Sequence, residues 1–139
     1  DRQRLAWWIG QYKRLRPLLH GGDVVRLDAA DAGEGAAFAH GVIATDRRRA
    51  VVARVQLATA AALAPPPLRV PGLDPGVRYR VGLLEPDRDD VSAAGGRRSD
   101  TAPLVAGVEL SGRQLAEHGV RIPEQAPESA YVYTIEAVR

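Results

Sequence analysis

Along the first twenty residues the apolar positions recur with helical spacing. Leu5, Trp8, Ile9, Tyr12, Leu15 and Leu19 follow an i, i+3, i+4, i+7 rhythm and predict one amphipathic helix with an apolar stripe. At about 100° per residue, Trp7 and Leu18 fall on the opposite side, between Arg4, Gln11 and Arg14. Pro17 lacks an N–H and restricts Arg16, so the helix is expected to end or kink there, and Gly21-Gly22 then stops it.

After Gly22 the period shortens to two. Asp23 to Leu27 is a short β-rich run, and Asp28 to Gly35 is a loop by composition. Ala36 to Thr45 reads as a strand with Phe38, His40, Val42 and Ala44 on one side and Ala39, Gly41 and Ile43 on the other. Asp46 to Arg49 forms a polar turn and Ala50 to Leu57 the returning strand of a hairpin. Ala58 to Ala64 is read as strand end plus loop because it runs into Pro65-Pro66-Pro67. Leu73-Asp74-Pro75-Gly76 is a turn, and Val77, Tyr79, Val81 and Leu83 are the inward positions of the strand that follows.

Glu85 to Pro103 is a long polar excursion, and Leu104 to Leu110 is a weak strand or packed loop. Ser111 to Gly119 reads as a short helix capped by Ser111 and closed by Gly119. In the final strand Tyr131, Tyr133, Ile135 and Ala137 alternate with Val132, Thr134, Glu136 and Val138. Short strands separated by turns predict a mainly β antiparallel sandwich preceded by one N-terminal α-helix. Its expected core holds Val25, Leu27, Val42, Val55, Leu57, Tyr79, Val81, Val132 and Tyr133, with the inward face of the last strand left open.

Such a helix, with a broad stripe and a second Trp behind it, calls for neighbours on two sides. An all-β remainder supplies at most one. The helix is therefore expected to belong to a larger protein, with residues 1–20 as one unit and residues 21–139 as the sandwich.

The composition, 45% hydrophobic and 26% charged, is that of a soluble globular domain, and a net charge of +2 gives no argument for nucleic acid. Zero cysteines exclude disulfides and thiol chemistry and permit a cytoplasmic location. No signal peptide is expected from these residues, and no apolar run approaches the roughly 20 residues of a membrane span. A single lysine, Lys13, among many Arg, Ala, Gly and Pro residues points to a GC-rich coding sequence and warns against reading each Arg as a ligand.

No motif for catalysis stands out. His20, His40 and His118 lack metal-ligand spacing, no nucleophile is paired with a base, and Gly95-Gly96 lacks the context of a phosphate cradle. Asp87, Asp89 and Asp90 lie in an Arg- and Gly-rich loop without a calcium-loop pattern and are better read as solvated. Arg47-Arg48-Arg49, with no interleaved aromatic, is better read as a hairpin tip than as a nucleic-acid patch. Phe38, Tyr79, Tyr131 and Tyr133 occupy core-type strand positions, which leaves few platforms for a sugar. No catalytic residue, metal ligand or cofactor is expected.

The run Trp8-Ile9-x-x-Tyr12-Lys13-x-x-Arg16-Pro17-Leu18-Leu19-His20-x-Gly22-Asp23-Val24-Val25-Arg26-Leu27 resembles the barrel-to-sandwich junction of family 36 α-galactosidases. Ala39-His40-Gly41-Val42, Asp46-Arg47, Val55-Gln56-Leu57, Leu68 to Pro75, Tyr79-Arg80-Val81, Ser111-Gly112-x-x-Leu115 and Gly119-Val120-x-x-Pro123 follow in the family's order. The resemblance covers essentially the whole chain. It implies that Asp1 to His20 is the last helix of a (β/α)₈ catalytic barrel and that Asp23 to Arg139 is the closing Greek-key β-sandwich. It also implies that the two catalytic Asp residues, used for retaining hydrolysis of terminal α-galactosides of the melibiose and raffinose type, lie on the barrel.

On this resemblance the chain is expected to be a non-catalytic accessory domain that stabilises the barrel. Leu5, Trp8, Ile9, Tyr12 and Leu15 are its expected contact with that barrel, which is the expected partner within the same polypeptide; a homo-oligomer is a second option. Neither nucleic acid nor membrane is expected as a partner. Two alternatives stay open at this point: a stand-alone carbohydrate-binding sandwich, and the terminal domain of another barrel glycosidase family.

Overall fold

The computed structural model describes residues 2–27, 37–57, 67–84, 104, 107–122 and 129–138. The elements run α1 (Arg2–Gly21), β1 (Asp23–Arg26), β2 (Ala37–Ile43), β3 (Arg49–Gln56), β4 (Arg78–Leu84), β5 (Val108–Ser111), α2 (Gly112–Glu117) and β6 (Ser129–Ala137). The sequence-based loops at Asp28–Gly35, Ala58–Ala64 and Glu85–Pro103, with Asp87, Asp89, Asp90 and Gly95-Gly96, lie outside the described residues.

The strands form one six-stranded antiparallel sheet in the order β1-β2-β3-β6-β4-β5. The β2–β3 hairpin is the one read from the alternation, with His40 opposite Ala53 and Ile43 opposite Ala50. The chain then crosses to β4, returns through β5, and crosses back so that β6 fills the space between β3 and β4. The two crossovers meet over the inner face of the sheet, where Leu68 and Val120 exchange backbone hydrogen bonds of 2.9 and 2.8 Å. Leu68, Val70, Leu73, Leu104, Leu115, Val120 and Ile122 make this second layer of the sandwich, packed on Val52, Tyr79, Val81, Tyr133 and Ile135 of the sheet.

The short helix α2 forms as its sequence predicts. Ser111 Oγ accepts from Gln114 N at 3.1 Å while Gln114 Oε1 accepts from Ser111 N at 2.8 Å, so two otherwise orphaned amides at the helix start are satisfied. Gly119 ends it with a left-handed backbone (φ 81°), and a Cβ there would stand 2.6 Å from the Leu68 carbonyl oxygen.

Three expectations need correction. First, α1 does not end at Pro17 but continues through it to Gly21. Pro17 and Lys13 are both exposed, so the Lys13 carbonyl that loses its amide partner can turn to water. Leu15 and Leu18, on either side of the proline, are packed against the sheet. Second, the inward positions of β3 are Ala50, Val52, Arg54 and Gln56; Val55 lies on the opposite face and Leu57 is 49% exposed. Third, Val42 and Val132 belong to that opposite face as well, where they pack beneath α1 instead of in the sandwich interior. In β6 the inward face is the tyrosine face: Tyr131, Tyr133 and Ile135 are buried.

Candidate functional site

The outer face of the sheet is only partly covered, and α1 is what covers it. Leu15 and Leu18 are buried with Val51, and Leu19, Val42, Ala44, Leu84 and Val132 close around them. Leu15 and Leu18, the residues that meet the sheet, are offset around the helix from the row Leu5, Ile9 and Tyr12. Burying two leucines contributes roughly 3–6 kcal/mol, at about 1.5–3 per side chain, which fixes the C-terminal half of the helix. Gly22 makes the exit turn possible, because a Cβ there would lie 2.6 Å from Val42 Cγ1 and 2.7 Å from the Ile43 carbonyl oxygen.

The five residues expected to face a neighbour are divided by this packing. Leu5, Ile9 and Tyr12 stay 62%, 45% and 46% exposed and form one continuous row. Trp8 is half-buried and meets Trp7 edge to face, with ring centroids 4.9 Å apart. Leu15 is seated on the sheet and is not presented to solvent. At the end of the exposed row, Tyr12 carries the Arg16 guanidinium 5.3 Å above its ring centroid, and its hydroxyl lies 3.4 Å from His20 Nε2.

Elsewhere the polar side chains serve the fold. The buried Tyr79 hydroxyl donates to the Arg47 carbonyl at 2.6 Å and accepts from Asp74 N at 3.1 Å. Arg47 itself donates from its guanidinium to the Gly72 carbonyl, so the Arg47-Arg48-Arg49 tip is a tie between two turns and not simply three solvated charges. Burial pushes the Tyr79 hydroxyl above its ordinary pKa, and pushes that of Tyr133 higher still. Beside Tyr133, desolvation lowers the pKa of the Arg54 guanidinium, which the strand alternation had not marked as an inward residue.

The histidines stay apart. His20 meets Tyr12, His40 stacks on Phe38 at 5.8 Å, and His118 is the C-cap of α2. Among the described residues no three His, Asp or Glu side chains gather as metal ligands. Among the described residues no helix is long and apolar enough to cross a membrane. Tyr79, Tyr131 and Tyr133 are all buried, so none can be a platform for a sugar ring.

Comparison with known proteins brings these observations together. Residues 37–135 match the model of the glycosyl hydrolase family 36 C-terminal domain. An α-galactosidase of Escherichia coli is 32% identical over 127 residues, which is 90% of this chain and 18% of that protein. Two solved family 36 α-galactosidases of Geobacillus stearothermophilus are similar over 94% of this chain and 15% of theirs. AgaB has a TM-score of 0.66 at 26% identity, and an AgaA variant in complex with raffinose has 0.66 at 25%. The chain thus spans less than a fifth of the length of these relatives. Because the family model spans residues 37–135, well over half of the chain, the chain belongs to the glycosyl hydrolase family 36 C-terminal domains.

Proposed function

We propose that this chain is the non-catalytic closing domain of a larger α-galactosidase-type glycoside hydrolase, and that α1 holds it to the catalytic barrel. One observation carries this reading: α1 has two apolar rows, one seated on the sheet through Leu15 and Leu18, the other open to solvent through Leu5, Ile9 and Tyr12. A helix with a sheet on one side and an uncovered apolar row on the other is suited to lie between two bodies.

Retaining hydrolysis needs two carboxyl groups about 5–5.5 Å apart across a sugar site. Barrel enzymes supply these at the C-terminal ends of barrel strands. The relatives have more than four-fifths of their length outside the part matched here, which leaves room for such a barrel. The substrates would be terminal α-galactosides of the raffinose type, and the sandwich would contribute stability rather than chemistry.

The test is an assay on a nitrophenyl α-galactoside with this chain alone and with the full-length polypeptide that carries it. Turnover should require the full-length protein. In that protein, Leu5→Ser with Ile9→Ser should lower the thermal midpoint while leaving KM unchanged. Turnover by this chain alone that survives repurification would overturn the reading.

A further inference from the structure

We propose that the surface receiving the open row of α1 is apolar at its centre and rimmed by carboxylates, and that it belongs to the rest of the same polypeptide; the second half of this statement rests on the reading above. The helix carries Arg2, Arg4, Lys13, Arg14 and Arg16 and not one Asp or Glu. Arg2, Lys13 and Arg16 are all exposed, and they stand three or four residues from Leu5, Ile9 or Tyr12, so the charges border the apolar row instead of lying behind it. Ion pairing is seen across β4 and β5, where Glu109 meets Arg78 and Arg80, and along α2, where Glu117 meets Arg113.

This charge pattern does not serve the helix itself. Arg2 sits in its first turn, where the backbone dipole presents positive charge and favours carboxylates. Lys13 and Arg16, at i and i+3, repel each other. A surface of carboxylates reverses both costs, and arginine suits this pairing through its planar fork of donors. The Arg16 group, already laid over Tyr12, presents its edge to such a partner without further ordering.

A basic helix with tryptophans also suggests a membrane surface. The geometry favours a protein: both Trp rings are half-buried, and the open apolar row is narrow.

Lys13 provides a clean probe because it is the only lysine in the chain. In the full-length protein, a water-soluble carbodiimide should join its ammonium to an Asp or Glu outside these 139 residues, seen by mass spectrometry after digestion. Lys13→Arg should abolish the cross-link and keep the melting midpoint. Lys13→Glu with Arg16→Glu should lower that midpoint by several degrees, and the difference should shrink in 1 M NaCl, as expected for roughly 3 Å screening at that salt. Hydroxyl-radical footprinting of Tyr12 separates the two levels. Tyr12 shielded in the full-length protein, with no cross-link and no effect of charge reversal, would overturn the carboxylate rim and leave the docking role standing. Tyr12 as reactive in the full-length protein as in this chain alone would overturn both. Charge-dependent binding of the full-length protein to phosphatidylserine vesicles would overturn the proposal in favour of a lipid surface.

Discussion

The Tyr79 hydroxyl donates to the Arg47 carbonyl 2.6 Å away, across 32 residues of chain. The same oxygen accepts from Asp74 N, so one buried atom joins the β2–β3 turn to the turn that leads into β4. Arg47 has a left-handed backbone, φ 59°, and its side chain completes the tie at Gly72. Tyr79→Phe keeps the ring and removes both hydrogen bonds. It should cost about 1–3 kcal/mol, the range for leaving partly buried partners unpaired, read as a lower urea midpoint at unchanged m-value. An unchanged midpoint would mean that water replaces the hydroxyl freely.

Alkaline pH should unfold the domain earlier than it unfolds a protein with exposed tyrosines. Tyr79 and Tyr133 both have their pKa raised by burial in the folded chain, against about 10 when unfolded. Below the unfolded value both states hold the proton and stability is independent of it. Above that value only the unfolded chain releases it, so stability falls as pH rises. The limiting slope is about 1.4 kcal/mol per pH unit for each tyrosine kept neutral. In ultraviolet difference titration, the part of the 295 nm ionisation signal that is lost in Tyr79→Phe and Tyr133→Phe variants should appear only together with loss of circular dichroism.

Gly112 opens α2 against the turn at Asp74-Pro75. A Cβ there would stand 2.1 Å from the Asp74 carbonyl oxygen, a backbone atom that cannot swing aside. Gly112→Ala should therefore destabilise by about 1–3 kcal/mol despite alanine's better helix propensity. Thermal melting of the two proteins decides it, and a more stable alanine variant would show that the two segments are not in contact.

The two halves of α1 should respond differently to removal. Leu18→Ala deletes a side chain buried against the sheet and should cost about 2–5 kcal/mol in this chain alone. Removing residues 1–9, which takes away Leu5 and Ile9 from the open row, should leave the sandwich cooperatively folded. Chemical denaturation of both variants checks this. A truncation as damaging as Leu18→Ala would show that the whole helix is integral to the sandwich.

Local signals in the sequence were reliable where a short-range chemical rule applies. Ser111 with Gln114 and Gly119 specifies α2 because cap and stop are satisfied within nine residues. The hairpin from Phe38 to Val55 was legible because Asp46 to Arg49 can only turn. The inward face of β3 was not legible. Ala50, Val51 and Val52 are apolar on both faces, since crossovers cover one side and α1 the other. Further along, the inward residues are the polar Arg54 and Gln56, whereas Val55 and Leu57 face out, so hydrophobicity pointed the wrong way.

The open row of α1 was visible as part of a stripe, but Leu15 could not be assigned from periodicity alone. The helix is amphipathic in two directions, and only the position of the sheet divides them. Leu18, set behind the stripe by its angle, marks the contact with the sheet together with Leu15.

The place of β6 between β3 and β4 has a consequence for synthesis. The ribosome delivers β1-β2-β3 and then β4-β5, two half-sheets whose facing edges have no partner until the residues from Ser129 onward emerge. A product that stops short of Ser129 has, among the described strands, no partner for the facing edges of β3 and β4, and open edges of that kind recruit other strands, so it should go to proteases or aggregates. With β6 at the centre of the sheet, the two half-sheets cannot join until the residues from Ser129 onward are made.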